Sequence, residues 1–531
     1  MRPAILKRSG LFFVAVTAVA LLPNSALAEV KRGGTLVTAI TGNPPDLMTG
    51  IGTNLLTSVI GGQIFDMLVT VDRNMRPQPG LAKSWEISPD GLAYTFKLQE
   101  NVKWHDGKPF TSEDVAYSFL EISRKYQPVA AAAFADIKRI DTPDPLTVVI
   151  HLANPDPSFF PWTFAAPAAH VYPKHVYEGT DPRQNPAKFK PIGTGPFVFK
   201  DWARGSHITL ERNPNYFDAD KVYLDRLIFQ IMPEANARQL ALERGDVDHL
   251  PYFSLATSAV QPLTKRQDTE VIDTARPAFG EIIMFFNMRN EPLSKKEVRH
   301  AIAYGIDRNV LVRLALSGRG KVATGPIRSD NTPFYTPDIE KYQRNAARAN
   351  GMLDKAGYPR KAGGTRMTLR LSYEGSGEGG SLQSAAEIMR EQLREIGINL
   401  QLVPSDPASW QQNAFIKWDF DMTMGSFLTG PDPKIGVARL YMTQYIVPRN
   451  GSNLMGYSNP EVDALFDKAA VELDVKKRAG LYHQIQKLMV DDLPALWLWE
   501  KSYPIAVRKG VVGLPSGASH WEGYVGVGWT K

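Results

Sequence analysis

The residues that could do chemistry are scattered along this chain, and few of them stand in company. Gly375, Gly377 and Gly380 fit G-x-G-x-x-G in the stretch Gly375-Ser376-Gly377-Glu378-Gly379-Gly380. A strand pattern precedes it, a helical pattern follows, and Asp406 lies just past the next strand. That is most of a dinucleotide fingerprint, in which glycines let the backbone approach a pyrophosphate and an acid takes the ribose. Only one such βαβ unit is legible, and an exported protein seldom meets a nicotinamide pool, so the stretch reads as a flexible loop at the edge of a cleft. Ser376 lacks the G-x-S-x-G setting of a hydrolase nucleophile, and spacing pairs no base with it. The nine histidines form no ligand group. His170 and His175 flank Pro173 in an apparent helix start, and His151, His207 and His483 sit singly within strand or helix patterns. With no cysteine and no HExxH, a zinc site has no motif to rest on. Gly193-Thr194-Gly195-Pro196 is glycine-rich, but the Lys and helix that a phosphate loop requires do not follow it. The expectation is therefore a binding protein without metal or cofactor, with an exported hydrolase as the weaker second reading.

Binding has better material. Trp410, Trp418, Phe420 and Phe427 crowd the run ahead of Gly430-Pro431-Asp432-Pro433. Rigid apolar walls with a few placed polar groups are what a cleft receptor needs, although such aromatics also build ordinary core. The formal charge of +6 is spread over 531 residues with no dense basic stripe, so nucleic acid is not an expected partner.

The elements that must position these groups are clearest between Leu81 and Leu120. Leu92, Tyr94, Phe96 and Leu98 alternate with Ala93, Thr95 and Lys97, the period of a half-buried strand. Pro89-Asp90-Gly91 is a turn tripeptide, so Ser84 to Ile87 and Leu92 to Leu98 predict a hairpin. Thr111 and Asp114 have the spacing of a capping box ahead of a helix with Val115, Phe119 and Ile122 in its apolar stripe. Thr53 to Leu68 also reads as a helix, and Ser294 with Glu297 reads as a second capping box. Met367 to Tyr373, Ser381 to Ile396 and Ile398 to Val403 form the βαβ unit. Asn459-Pro460 starts one helix with an Asn cap and Pro at its first position, and Asp474 to Asp492 is another.

Residues 1–28 have the layout of a cleavable signal: Arg2, Lys7 and Arg8, then apolar Leu11 to Leu22, then Ala26-Leu27-Ala28. The apolar run is shorter than the ~20 residues that span a bilayer. Cleavage would leave roughly 500 residues starting at Glu29, enough for two or more domains. Without cysteine there is no lipid attachment point, so the expectation is a free periplasmic protein.

The wording SWE-x-S-x-DG-x-x-YTF-x-L followed by HDGKPFTSEDVAYSF resembles the signature of the family 5 extracellular solute-binding proteins, the dipeptide-, oligopeptide- and nickel-binding receptors of ABC importers. Pro191 to Phe197 and the run Tyr304-Gly305-Ile306-Asp307-Arg308 continue the resemblance, which covers nearly all of the exported chain. It implies an α/β, two-lobed periplasmic binding protein of the cluster C type, with an extra subdomain in lobe I and a two-stranded hinge. Lobe I would comprise 29–286, with the subdomain at about 56–190, and would regain the chain at 500–531; lobe II would be 287–499. The implied function is capture of a solute, first of all a small peptide, and delivery to the permease subunits of the inner membrane by a monomeric receptor. An opine, a sugar conjugate or a chelated metal are the alternatives. The family's carboxylate clamp falls on Leu371, two residues before Tyr373, and its amine-binding Asp falls on Thr429. Asp432 is the nearest carboxylate to that position, or else merely starts the following turn. The expected ligand-binding residues are therefore Tyr373, Trp410, Phe427, Thr429 and Asp432.

Overall fold

Leu36, Ala39 and Ile40 are fully buried on the strand Thr35–Ile40, which lies at the centre of the first of two large sheets. The structure, a computed structural model, describes residues 30–72, 76–160, 169–274, 280–375, 380–430, 432–514 and 523–530. The signal pattern at 1–28 and the middle of the glycine-rich loop at 376–379 lie outside these residues. The first sheet has seven strands in the order Thr269–Thr274, Tyr503–Arg508, His249–Leu250, Thr35–Ile40, Arg226–Ile231, His207–Arg212 and Phe197–Ala203. Thr35–Ile40 runs parallel to both neighbours and the remaining pairs are antiparallel. A parallel pair needs a crossover. The helix Ala235–Arg244 carries the chain from Arg226–Ile231 past Thr35–Ile40 to His249–Leu250 on its other side, and it stops at Gly245, whose φ of 83° gives the left-handed cap that glycine adopts without strain.

The second sheet has six strands: Lys321–Val322, Ala495–Glu500, Gly280–Phe286, Met422–Leu428, Met367–Glu374 and Ile398–Ser405. The expected βαβ unit is here, with the helix Ser381–Arg394 carrying Met367–Glu374 over to its parallel neighbour Ile398–Ser405. Each sheet has its own apolar core, so the chain forms two α/β lobes. It changes sheets twice, between Thr274 and Gly280 and again at Lys501-Ser502. The first change therefore precedes Gly280–Phe286 rather than following it, and the boundary expected at residue 286 moves forward. The physical reason is register: all seven residues pair on one side with Met422–Leu428, and on the other side the strand pairs with Ala495–Glu500.

The extra subdomain is a four-stranded antiparallel sheet in the order Ala82–Ile87, Ala93–Leu98, Thr147–Leu152 and Ile137–Asp144. Tyr94, Phe96 and Leu98 point into its core against Val115, Phe119 and Phe134. The Thr111–Asp114 capping box is formed. The Ser294 box is not: that helix spans Lys296–Gly305 with Lys295 at its cap. The helix expected over 53–68 is confined to Leu55–Gly61, and Ile60, Ile64 and Phe65 pack in lobe I. The subdomain's own core accordingly runs from Leu68 to Val171, inside the expected 56–190.

Subdomain and lobe are joined at Asp66. Its carboxylate accepts from the Thr194 hydroxyl at 2.9 Å and the Tyr216 hydroxyl at 3.2 Å. The glycines around Thr194 are there for close approach, since a Cβ at Gly193 would stand 1.8 Å from the Ile64 carbonyl oxygen and one at Gly195 would stand 2.6 Å from it. Burial pushes the Asp66 carboxyl up to about 7, against the two hydroxyl donors that favour its ionised form. Between about pH 4 and 7 the folded state then binds more protons at Asp66 than the unfolded chain does, so this residue makes stability fall as pH rises. Asp66→Asn should flatten that fall. Denaturant midpoints of wild type and variant at about pH 4.5 and about pH 7.5 test it, and equal slopes in the two proteins would sink the assignment.

Candidate functional site

Strand Met422–Leu428 projects past one of its neighbours. Gly280–Phe286 pairs along its whole length, but Met367–Glu374 pairs only as far as Met424. Gly425 to Leu428 thus have no strand partner on that side among the described residues. An unpaired edge of this kind offers backbone donors and acceptors to an incoming extended chain. Ser426 and Leu428 are exposed there, and Leu428 is an apolar side chain left 50% open.

A cavity of about 490 Å³ lies against this edge, lined by Trp410, Phe415, Phe427, Leu428, Arg439 and Glu374 among others. Asp406 caps the short helix Pro407–Gln411, with Pro407 at its first position, and that helix presents Trp410. The indole lies over the strand at Gly425, where a Cβ would come within 2.6 Å of its ring, and its nitrogen donates to the Thr423 hydroxyl at 3.0 Å. Phe415 meets Trp410 edge-on at 5.7 Å, and Phe427 meets Phe285 edge-on at 4.8 Å. The aromatic wall is therefore locked by its own packing. Asp406 spends a carboxylate oxygen on the Ser409 amide, so the acid that would have completed a dinucleotide fingerprint has a structural task.

The cavity adjoins the hinge through Ser426, whose hydroxyl receives the Lys501 ammonium at 3.2 Å. Arg328 lies beneath. It donates to the Gly280 carbonyl at 2.6 Å and reaches the Lys501 carbonyl at 3.5 Å, with Asp330 3.0 Å away as its counter-ion. Glu281, beside Gly280, is fully buried, and neither of its carboxylate oxygens has a hydrogen-bond partner among the described residues. Burial raises its carboxyl well above the usual range, and the nearby Glu500 adds to the effect.

Two of the five expected residues, Trp410 and Phe427, line the cavity, and three are placed elsewhere. Tyr373 is fully buried in the lobe II core, with its hydroxyl donating to Gln383 at 2.5 Å, and is no part of the wall. Thr429 is only 2% exposed, beneath a close approach of Gly436 to its carbonyl. Asp432 is engaged inside lobe II. Arg478 grips both its oxygens, at 2.6 and 2.8 Å, and one of them also caps the helix Pro433–Gly436 by accepting from the Lys434 amide. Of the two roles open to Asp432, the structure places it in the turn and gives it a buried counter-ion. Arg439, Phe415, Ser426 and Lys501 were missed. Arg439 left a trace, being a lone charge in the apolar run Ile435 to Met442.

Removing one partner of a buried ion pair strands the other, which costs about 3–5 kcal/mol. Asp432→Asn should therefore destabilise the empty protein by about that amount, with Arg478→Ala showing a similar loss. Chemical denaturation without ligand reads this directly. An unchanged unfolding midpoint in Asp432→Asn would show that the pair does not hold this loop.

Comparison with known proteins places this geometry. The model of the bacterial extracellular solute-binding proteins, family 5 (middle region), matches residues 76–445. The oligopeptide-binding protein AppA of Bacillus subtilis (strain 168) is 28% identical over 502 residues, 91% of this chain and 89% of its own. The solved substrate-binding protein CtaP of Listeria monocytogenes superposes with a TM-score of 0.82 at 26% identity, covering 94% of this chain and 100% of CtaP. AgaA of A. tumefaciens R10, solved with agropinic acid, is similar at 27% identity and a TM-score of 0.71, covering 94% and 98% of the two chains. With the matched stretch spanning well over half its length, the chain belongs to the bacterial extracellular solute-binding proteins of family 5, whose members are binding receptors and not enzymes.

Proposed function

We propose that this protein captures peptides between its lobes in the periplasm and, as a monomer, hands them to the permease of an ABC importer. The observation that carries the reading is the unpaired edge Gly425 to Leu428 beside an aromatic cavity. An extended peptide can add to that edge as a strand, with the backbone supplying affinity and the cavity receiving a side chain or terminus. The name of AppA, an oligopeptide-binding protein, points the same way. The signal pattern at 1–28 supports export, with Glu29 as the first residue after cleavage.

One observation favours a second reading. The position that would hold a peptide's amine is the uncharged Thr429, and Asp432 is committed to Arg478. A solute without a free amine would not miss that carboxylate, and AgaA, solved with agropinic acid, is such a case among the neighbours. Calorimetry against peptides of about two to nine residues, their backbone N-methylated versions and agropinic acid separates the readings. Peptide binding that N-methylation abolishes supports strand addition. Binding of agropinic acid alone would replace it with the second reading, and recovery of hydrolysed peptide would overturn both. A peptide ligand at 100 times its Kd should add about 2.7 kcal/mol of stability.

Closure has a visible contact. Lys434 of lobe II pairs with Asp156 of the subdomain at 2.8 Å, and Leu473 of lobe II lies against the turn at Gly91. A ligand that binds the closed state better shifts the equilibrium toward it, and any contact made only on closure adds to that shift. An ion pair of this exposure is worth about 0.2–1 kcal/mol, so Lys434→Ala should move the equilibrium toward the open state by up to about five-fold. Ligand affinity should fall by no more than that factor. Small-angle scattering of the empty variant should show a larger mean radius of gyration, and an unchanged radius together with unchanged affinity removes this contact from the closing step.

A further inference from the structure

We propose that Arg439 binds a carboxylate of the captured solute in the lobe II cavity. The inference rests on capture at this wall and goes on to name the group that anchors there. Arg439 sits on the short helix Ala438–Tyr441, between the buried side chains of Ala438 and Leu440, and its guanidinium forms part of the cavity lining. It donates to the carbonyls of Gly451 at 2.6 Å and Leu428 at 3.1 Å, and it has no carboxylate partner among the described residues. Gly451, at φ +75°, makes room for it, since a Cβ there would stand 2.6 Å from the guanidinium.

Arg439 is half-buried, and the fully buried arginines of lobe II are provided for. Arg478 has Asp432, and Arg328 has Asp330. Arg299 donates to four backbone carbonyls and Arg308 to three. Arg439 has two carbonyls and a cavity. A guanidinium carries five N–H donors in a planar fork shaped for a carboxylate, so donors remain to face an incoming group. Burial holds its pKa below the ordinary value, with nearby Arg449 adding to the effect, as expected of a desolvated cation that lacks a counter-ion. Glu374, across the cavity, forms no ion pair with it. Trp410, Phe415 and Phe427 line the same cavity, and their low-dielectric faces strengthen a charge-assisted bond made beside them.

The placement also suits an added strand. The Leu428 carbonyl that Arg439 holds belongs to the last residue of the open edge. A chain laid along that edge meets the guanidinium where the edge ends. The carboxylate can come from a peptide's C-terminus or from an acidic side chain, and the chemistry is the same.

The test uses the mature protein and its Arg439→Gln and Arg439→Lys variants, titrated with pentapeptides as C-terminal acids and amides, each made with Glu or Gln in the sequence, and with agropinic acid. Wild type should lose about 10- to 100-fold in affinity when the responsible carboxylate is neutralised. Arg439→Gln should lose as much for the acid and become indifferent to that neutralisation, with Arg439→Lys between, because lysine keeps the charge without the fork. Amidation identifies the C-terminus as the source, and Glu→Gln identifies a side chain. If Arg439→Gln discriminates acid from amide as wild type does, the proposal is overturned. If no peptide binds wild type but agropinic acid does, the peptide reading fails while this proposal stands or falls on whether Arg439→Gln loses agropinic acid. A readout free of ligand completes it: the empty Arg439→Gln protein should fall in melting temperature by clearly less than Asp432→Asn does, since it loses two carbonyl contacts but strands no buried counter-ion. A fall like that of Asp432→Asn would make Arg439 a structural group instead.

Discussion

Arg328 reaches the carbonyls of both segments by which the chain passes from one sheet to the other, Gly280 on the way out and Lys501 on the way back. Backbone groups at a crossing leave their sheet ladders and need partners elsewhere. A single buried guanidinium supplies them, and Asp330 and Glu500 offset its charge from 3.0 and 4.0 Å. Because Arg328 belongs to lobe II, the two crossings are tied to that lobe's frame. Gly280 is pressed so close to Tyr503 that a Cβ would stand 2.1 Å from its hydroxyl oxygen. The binding wall starts from the same place, since Ser426 and Lys501 meet directly above. A change in how the crossings are held is therefore felt by the strand edge that would receive a ligand.

Much of the fold could be read from local pattern. Tyr94, Phe96 and Leu98 alternate because one face of their sheet is covered, and the Pro89-Asp90-Gly91 turn set the hairpin's register. Thr111 and Asp114 close their box across three residues, a distance a sequence displays. Gly280–Phe286 is different. Every residue of it is buried, so no polar face marks its side, and nothing local says which sheet it joins. Its place became legible only through partners more than a hundred residues away.

The site was legible in part and for a similar reason. Trp410 and Phe427 announced a wall because aromatics close in sequence often stay close in space. Asp432 looked available because Arg478, which occupies it, lies 46 residues further on. Tyr373 looked like a cleft residue because its position matched the family's clamp strand, but its hydroxyl turns to Gln383 on the helix behind the sheet. Arg439 shows in the sequence only as a lone charge in an apolar run, since what sets it apart is the lack of a carboxylate partner, and a sequence does not show lacks of that kind.

Asp66 is more than a junction between subdomain and lobe. The Val171 amide donates to the Asp66 carbonyl at 2.9 Å, and Met67 and His170 form an antiparallel bridge. The subdomain thus leaves lobe I and returns to it at a single point, with its two ends already paired. The excursion is closed at its base and is held again where His105 meets the backbone of Gly193 and Gly195 and where Ile122 enters the lobe I core. Asp156 and Gly91, which meet lobe II across the cleft, thus stand on an excursion of the chain and not on the sheet of lobe I, so the far side of the cleft is positioned by the base of that excursion.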